Sequence, residues 1–289
     1  MTKLYVIGNG FDLWHGLPTS YRQFYEFAKE ILDELENYYL FEVTQAGPWC
    51  DFENSLGAFN WREFYDVHNH IDVQDESFRL SFVYCLEDDL REQADQHVDS
   101  IRGCFREWID EIDISTAEGR LALAENALFL NFNYTSTLET VYGIDNKNVL
   151  HIHGRSSTFD ELIFGHGDTM EEVPELDENG DSNRTIFSDA EGAAKCPFYA
   201  LQKPVLETLD NNKEFFDSLA SLSEITVIEH SLNKIDLPYF RQLATSAPNA
   251  TWIVCSFNAS DEIHHLQELE RCGVLRGRIH FCTYSDLET

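Results

Sequence analysis

Residues 4–12 read Leu-Tyr-Val-Ile-Gly-Asn-Gly-Phe-Asp, and this stretch decides the fold. Its first four residues are apolar and rich in β-branched and aromatic side chains, which predicts a short buried strand. Gly8 and Gly10 then allow a tight turn and lack the Cβ atoms that would hold a ligand away from the backbone. A strand, a glycine turn and a helix can present backbone N–H groups to an anion. We therefore expect Gly8, Asn9, Gly10 and Phe11 to face an anionic ligand, with Asp12 on a hydroxyl group or on N–H groups of the loop.

Further strands are predicted wherever short apolar runs return along the chain. Helical patterns separate them, and alternation of strands and helices is typical of a parallel sheet covered on both faces. The fold class is thus α/β, a Rossmann-like parallel sheet of about six strands with a large helical insertion after the first strand. We expect one domain over residues 1–289, with the insertion over 20–125 and an acidic loop over 168–195. The additional strands are predicted at residues 127–132, 148–152, 162–164, 224–228, 251–255 and 278–282.

The composition limits the classes of partner. The chain has 20 basic and 52 acidic residues, a formal charge of −32 that repels the phosphates of nucleic acid. Seven scattered cysteines contain no Cys-x-x-Cys pair, a pattern typical of free thiols in a reducing compartment. No apolar run reaches the length of a membrane helix. The sequence therefore predicts a cytoplasmic protein without direct nucleic-acid or membrane partners.

Polar residues and glycines follow nearly every predicted strand. Ligands of open parallel sheets bind beyond the carboxyl ends of the strands, so these segments predict a small-molecule site. They are Asn131-Phe132-Asn133-Tyr134-Thr135, His151-Ile152-His153-Gly154, Gly165-His166-Gly167 and His230-Ser231-Leu232.

Each candidate residue has a structural alternative. Gly8 and Gly10 could form only a tight turn, and Leu13 stands where a dinucleotide fingerprint has its third glycine. Asn133 could instead cap the helix that starts near Thr135 or Ser136.

The acidic and histidine candidates outside the glycine loop also have more than one possible role. Glu53 lies at a predicted helix start, where an acid favours the helix dipole, or it contacts a ribose hydroxyl. His151 and His153 share one face of a strand and could bind a metal with His166, but no carboxylate is clearly placed beside them, so no metal is expected. His153 is interpreted as an exposed base at a strand end, with Gly154 leaving room for a substrate. His15 is not positioned by any motif.

Several segments together resemble the AbiH family, bacterial proteins associated with abortive infection by phage. The resemblance extends from residue 4 to about 240. It rests on Ile7-Gly8-Asn9-Gly10-Phe11-Asp12-Leu13, His15-Gly16-Leu17-Pro18-Thr19-Ser20-Tyr21, Trp49-x-Asp51-Phe52-Glu53, Phe132-Asn133-Tyr134-Thr135, His151-Ile152-His153-Gly154 and Phe164-Gly165-His166-Gly167.

The order of the motifs is also distantly similar to that of sirtuin-like NAD-binding proteins. Gly8-Asn9-Gly10, the Asn131–Thr135 segment, His153-Gly154 and His230-Ser231-Leu232 occur in the corresponding order, with Asp236 downstream. Thr135 stands where an acid often follows the Asn-Tyr pair, and no zinc-binding cysteine module is present. This similarity implies NAD or a related nucleotide as ligand.

The two resemblances imply an anti-phage protein that binds NAD or a related nucleotide. Our first hypothesis is an effector that cleaves the N-glycosidic bond of this nucleotide, as an NAD glycohydrolase does. Asn133 and His153 are the catalytic candidates. Ser231 is expected on the adenine-side ribose, and Tyr134 is a further pocket candidate. The alternatives are a nucleotide-sensing module without catalysis and a metal-dependent nuclease. A second copy of the chain and a phage-derived trigger are the partners considered besides the nucleotide.

Overall fold

The fold was analysed in a computed structural model, which describes residues 3–41, 47, 49–158, 160–255 and 259–287. Six parallel strands form one sheet in the order β3-β2-β1-β4-β5-β6. They are β1 (Lys3–Ile7), β2 (Leu128–Asn131), β3 (Val149–His151), β4 (Glu224–Ile228), β5 (Thr251–Cys255) and β6 (Ile279–Cys282).

Thirteen α-helices lie within the described residues. They are α1 (Asn9–Trp14), α2 (Tyr21–Phe27), α3 (Lys29–Leu35), α4 (Phe52–Leu56), α5 (Trp61–His68), α6 (Leu80–Asp110), α7 (Thr137–Tyr142), α8 (Ser188–Ala194), α9 (Cys196–Ala200), α10 (Val205–Asn211), α11 (Lys213–Asp217), α12 (Leu237–Ser246) and α13 (Glu262–Arg271).

The sheet buries both of its faces, as continuous apolar strands require. Along β1, Leu4 and Val6 pack into one hydrophobic cluster with residues of α12 and α13. Tyr5 and Ile7 point to the opposite face and pack with residues that include Phe11. The predicted fold class, a Rossmann-like parallel sheet with a long helical region after the first strand, is confirmed.

The chain divides into two compact units. The first holds the sheet and comprises Met1–Gln23, Arg106–Ile163 and Pro204–Thr289. The second comprises Phe24–Phe105 and Phe164–Lys203. The second unit has its own aromatic core, in which Phe52 and Phe105 stack at 5.7 Å between ring centroids. The expectation of one domain over 1–289, with an insertion over 20–125, stays a prediction.

Two local predictions were wrong. Residues 162–164 are not a strand, although the Ile163 N–H donates to the His153 carbonyl over 2.8 Å. Directly afterwards Gly165 adopts a φ of 142°, which interrupts an extended segment. The acidic segment 168–195 is without helix or strand only as far as residue 187, because α8 follows. Its small side chains Ala190, Ala193 and Ala194 are buried, which stabilises a helix in a stretch of acidic and polar composition.

Candidate functional site

The strand order reverses between β1 and β4, the point at which open α/β sheets bind ligands. The turns after these strands are in direct backbone contact. The Gly8 N–H donates to the Ile228 carbonyl over 2.9 Å, and the Gly10 N–H donates to the Glu229 carbonyl over 3.2 Å. A Cβ on Gly8 would lie 2.3 Å from the Glu229 carbonyl oxygen and 2.4 Å from the Cα of His230. The neighbouring turn therefore requires a glycine at position 8 whether or not a ligand binds.

The same contacts occupy N–H groups that were expected to face a phosphate. Besides those of Gly8 and Gly10, the Phe11 N–H donates to the Gly8 carbonyl over 3.0 Å. Asn9 is exposed, and its side-chain amide donates to the Thr19 carbonyl over 2.8 Å. A phosphate at this loop would have to displace some of these hydrogen bonds. Ligand binding by residues 8–12 stays a prediction.

Asp12 is a fully buried acid at the carboxyl end of β1. Its Oδ2 accepts a hydrogen bond from the Thr135 hydroxyl at 2.5 Å, and that hydroxyl lies 2.9 Å from Thr137 Oγ1. Burial raises the pKa of Asp12 to about 6, although nearby hydroxyl and amide groups lower it. The Asp12 carboxylate was expected to contact a hydroxyl group, and in the structure it accepts a hydrogen bond from the Thr135 hydroxyl of the chain itself.

Asn133 lies next to this acid with hydrogen-bonding capacity to spare. Its side chain is 3% exposed and close enough to Asp12 to favour the ionised carboxylate. In the part of the chain that the structure describes, neither amide atom of Asn133 makes a hydrogen bond of normal geometry, and the same holds for Asp12 Oδ1. Asn133 is not the helix cap, because Ser136 holds the N-cap position of α7. Buried polar groups are normally paired, so these three atoms are available to a ligand or water.

His151 belongs to a hydrogen-bonded group around Asn133. Its Nε2 lies 2.8 Å from Glu139 Oε1, and its Nδ1 lies 3.2 Å from the Asn133 carbonyl oxygen. Arg155 donates to the same Glu139 oxygen over 3.0 Å. Burial raises the pKa of Glu139, but the His151 hydrogen bond and the Arg155 charge outweigh it and leave the pKa below its ordinary value. These interactions position the backbone that carries Asn133.

His153 belongs to a second group, centred on Asp236. His153 Nε2 lies 3.7 Å from Asp236 Oδ1, and His230 Nε2 lies 3.6 Å from Asp236 Oδ2. The Leu232 N–H donates to His230 Nδ1 over 3.0 Å, which directs the other ring nitrogen toward the acid. The Tyr134 ring stacks near His153 at 6.1 Å between centroids.

The expected exposure of His153 was wrong, because the side chain is buried, whereas its role as a base stays a prediction. The local backbone also requires a glycine at position 154, independently of any substrate. Its φ is 80°, and a Cβ there would lie 2.3 Å from the Glu161 carbonyl oxygen.

Two other candidates lie in the sheet unit. His15 is buried, with Nδ1 2.7 Å from the Phe11 carbonyl oxygen and Nε2 2.6 Å from the Tyr142 hydroxyl. Burial lowers the pKa of His15, so the ring acts as a neutral tie between α1 and α7. Ser231 is exposed after β4, and its proposed ribose contact stays a prediction.

The candidates Glu53 and His166 belong to the second unit. The Glu53 carboxylate is buried and pairs with Lys203 Nζ over 3.2 Å. His166 Nε2 lies 2.8 Å from the Phe198 carbonyl oxygen, and its Nδ1 accepts from the Asp168 N–H over 3.2 Å. Burial lowers the pKa of His166.

Among the described residues, no group of three or more His, Cys, Asp or Glu side chains is placed to hold a metal ion. The sequence reasoning missed Thr137, Glu139 and Arg155, because their roles follow from packing. A threonine directly after the Asn-Tyr pair was noted at Thr135, but only as a departure from a motif. Its contact with Asp12 spans 123 positions of the chain.

Sheet order and site together define the class: a doubly wound parallel α/β protein with a buried acid and amide at the carboxyl edge of its sheet. The family model described as "Bacteriophage abortive infection AbiH" matches residues 4–256. The chain belongs to this family, which gives it a role in phage abortive infection. No curated protein matches the chain, and no solved structure matches it either. None of the helices in the described ranges is long and apolar enough to span a membrane.

Proposed function

We propose that the chain is an abortive-infection effector that binds NAD at the carboxyl edge of the sheet and hydrolyses its bond between nicotinamide and ribose. The observation that carries the proposal is the set of three buried atoms on Asp12 and Asn133 that make no hydrogen bond of normal geometry in the described ranges. A carboxylate and an amide side by side suit a ribose hydroxyl or a water molecule. The carboxylate accepts a hydrogen bond that the hydroxyl or water donates, and the amide can donate or accept one.

The reaction consumes NAD and water and yields ADP-ribose, nicotinamide and a proton. Positive charge develops on the ribose as the bond breaks, as in glycoside cleavage. Asn133 holds the water or a ribose hydroxyl, and the Asp12 carboxylate takes the proton. A pKa of about 6 leaves Asp12 mostly ionised at neutral pH yet basic enough to act.

The remaining candidates are assigned to orientation of the substrate. His153, held near Asp236, contacts a ribose hydroxyl or acts as a second base. The exposed residues Asn9 and Ser231 flank the edge and contact the adenine-side half of the nucleotide. The resemblance to sirtuin-like proteins supports these assignments.

The test is release of nicotinamide from NAD by the purified full chain, followed by chromatography. We expect Asn133→Ala and His153→Ala to abolish release. Asn148→Ala is the matched control, because Asn148 is also buried in the sheet unit but donates to the Glu125 carbonyl over 3.2 Å. Unaltered release in the first two variants would overturn the catalytic assignment.

A nucleotide sensor without turnover is the second candidate. Burial of both Asp12 and His153 favours it, since hydrolysis needs a water molecule at these side chains, whereas the exposed Asn9 and Ser231 can contact a nucleotide from solution. Calorimetry with NAD distinguishes the two: heat of binding that depends on Asn133, without nicotinamide release, supports the sensor.

A further inference from the structure

Two cysteines end neighbouring strands of the sheet. Cys255 is the last residue of β5 and Cys282 the last of β6, and the two are direct partners in the parallel register. Partners in register point to the same face, and adjacent strands lie about 4.8 Å apart. That spacing falls within the range of about 4.4–6.8 Å between Cα atoms that a disulfide needs. Both residues are free thiols in this structure.

The two thiols differ in their access to solution. Cys255 is fully buried, whereas Cys282 is partly exposed, so an oxidant in solution reaches Cys282 first. The hydrogen bond with Cys255 lowers the pKa of the Cys282 thiol, and Lys3 lowers it further, against burial and the charge of Asp286. The same hydrogen bond and burial raise the pKa of Cys255. Cys282 therefore ionises first, and the thiolate is the reactive form.

We propose that Cys255 and Cys282 form a thiol-oxidation site that closes to an intramolecular disulfide when the chain meets a peroxide. The Cys282 thiolate attacks one oxygen of hydrogen peroxide, the O–O bond breaks, and with one proton taken up this gives a sulfenic acid and water. The Cys255 thiol then attacks that sulfur and displaces a second water. Two thiols and one peroxide thus yield one disulfide and two waters. This proposal is independent of NAD binding or hydrolysis.

The pair lies next to the turns at the strand-order reversal. The Cys255 carbonyl accepts from the Glu229 N–H over 3.0 Å, and the Glu229 carbonyl accepts from the Gly10 N–H. Glu229 is held at a φ of 52°, in the left-handed region that residues other than glycine seldom occupy. A cross-link at Cys255 therefore acts on the residue that holds this turn in place.

The experiment treats the reduced full chain with a small molar excess of hydrogen peroxide. Remaining thiols are then alkylated under denaturing conditions and the chain is digested with trypsin. Cleavage after Arg and Lys separates residues 242–271, which carry Cys255, from residues 279–289, which carry Cys282, and from the short peptide of Cys272. We expect a linked pair of the first two peptides that lacks two hydrogen atoms and disappears on reduction.

The double variant Cys50→Ser, Cys85→Ser removes two exposed thiols and is expected to keep this link. Cys282→Ser is expected to abolish the link and leave Cys255 unoxidised at the same dose. Oxidation of the exposed cysteines without the linked pair would overturn the proposal, as would a link from Cys255 to Cys272. Because the unaltered chain already decides between these results, the test stands even where a serine variant folds poorly.

Discussion

Replacing Asp12 by asparagine is expected to stabilise the fold at neutral and alkaline pH and to change it little in acid. Burial raises the pKa of Asp12 from 3.8 to about 6 in the folded chain. The folded state therefore holds this proton more tightly than the unfolded state does. The contribution to stability is complete below about pH 4 and is lost as the pH rises through about 6.

Each pKa unit is worth about 1.4 kcal/mol, so ionised Asp12 costs the fold about 3 kcal/mol near pH 8. Asparagine has the same shape, still accepts from Thr135 and carries no charge, so Asp12→Asn removes this cost. Under the proposed function the same variant loses nicotinamide release, because the proton acceptor is gone. Greater stability together with lost turnover is the expected combination.

Urea unfolding of both chains at about pH 4.5 and about pH 8 measures the effect as a difference in free energy of unfolding. The matched control is Asp145→Asn. Asp145 is exposed, and its hydrogen bonds to Lys147 lower its pKa, so its contribution has the opposite sign and is lost in acid. An Asp12→Asn chain that differs from the original equally at both pH values would refute the reasoning.

The remaining predictions concern the glycine turn and the second unit. Gly8→Ala forces a Cβ to 2.3 Å from the Glu229 carbonyl oxygen and should lower the free energy of unfolding by about 1–3 kcal/mol or more. The control Gly103→Ala in α6 places its Cβ in open space and should raise the free energy of unfolding by up to about 1 kcal/mol. Equal urea midpoints for the two variants would contradict this prediction. Lys203→Met removes the cation that pairs with the buried Glu53 carboxylate and should lower the free energy of unfolding, measured in urea, by about 3–5 kcal/mol. Adding Glu53→Gln to this variant should restore part of the lost stability, because the buried charge is then gone. A Lys203→Met chain as stable as the original would show that the ion pair is dispensable.

Strands that are mostly apolar were predictable from the sequence. The strands Glu224–Ile228 and Thr251–Cys255 coincide with predicted ones, and Lys3–Ile7 begins one residue before its prediction, because burial on both faces demands a mostly apolar run. Residues 162–164 have the same apolar character, but within the described ranges they pair with no neighbouring strand. Sheet order is a property of packing, and local composition does not determine it.

The candidate site was predictable in its location and less so in its chemistry. Polar residues after the strands placed Asn133 and Asp12 at one edge, and the structure puts them side by side. The structural reason for Gly8 was not predictable, because glycine is required there by close approach to Glu229, which lies over 200 positions away in the chain. Burial of Asp12 and His153 likewise depends on which helices cover the edge, which the pattern of neighbouring residues does not reveal.

The hydrogen bonds among the turns after β1, β4 and β5 have a mechanical consequence. Gly10 donates to Glu229, and Glu229 donates to Cys255, so three strand ends are tied in series through their main chains. The amides along this series are expected to open together rather than singly, as one cooperative unit in hydrogen exchange. A molecule that binds the turn at Gly10 is therefore expected to slow exchange at Glu229 as well, without contacting β4 or β5.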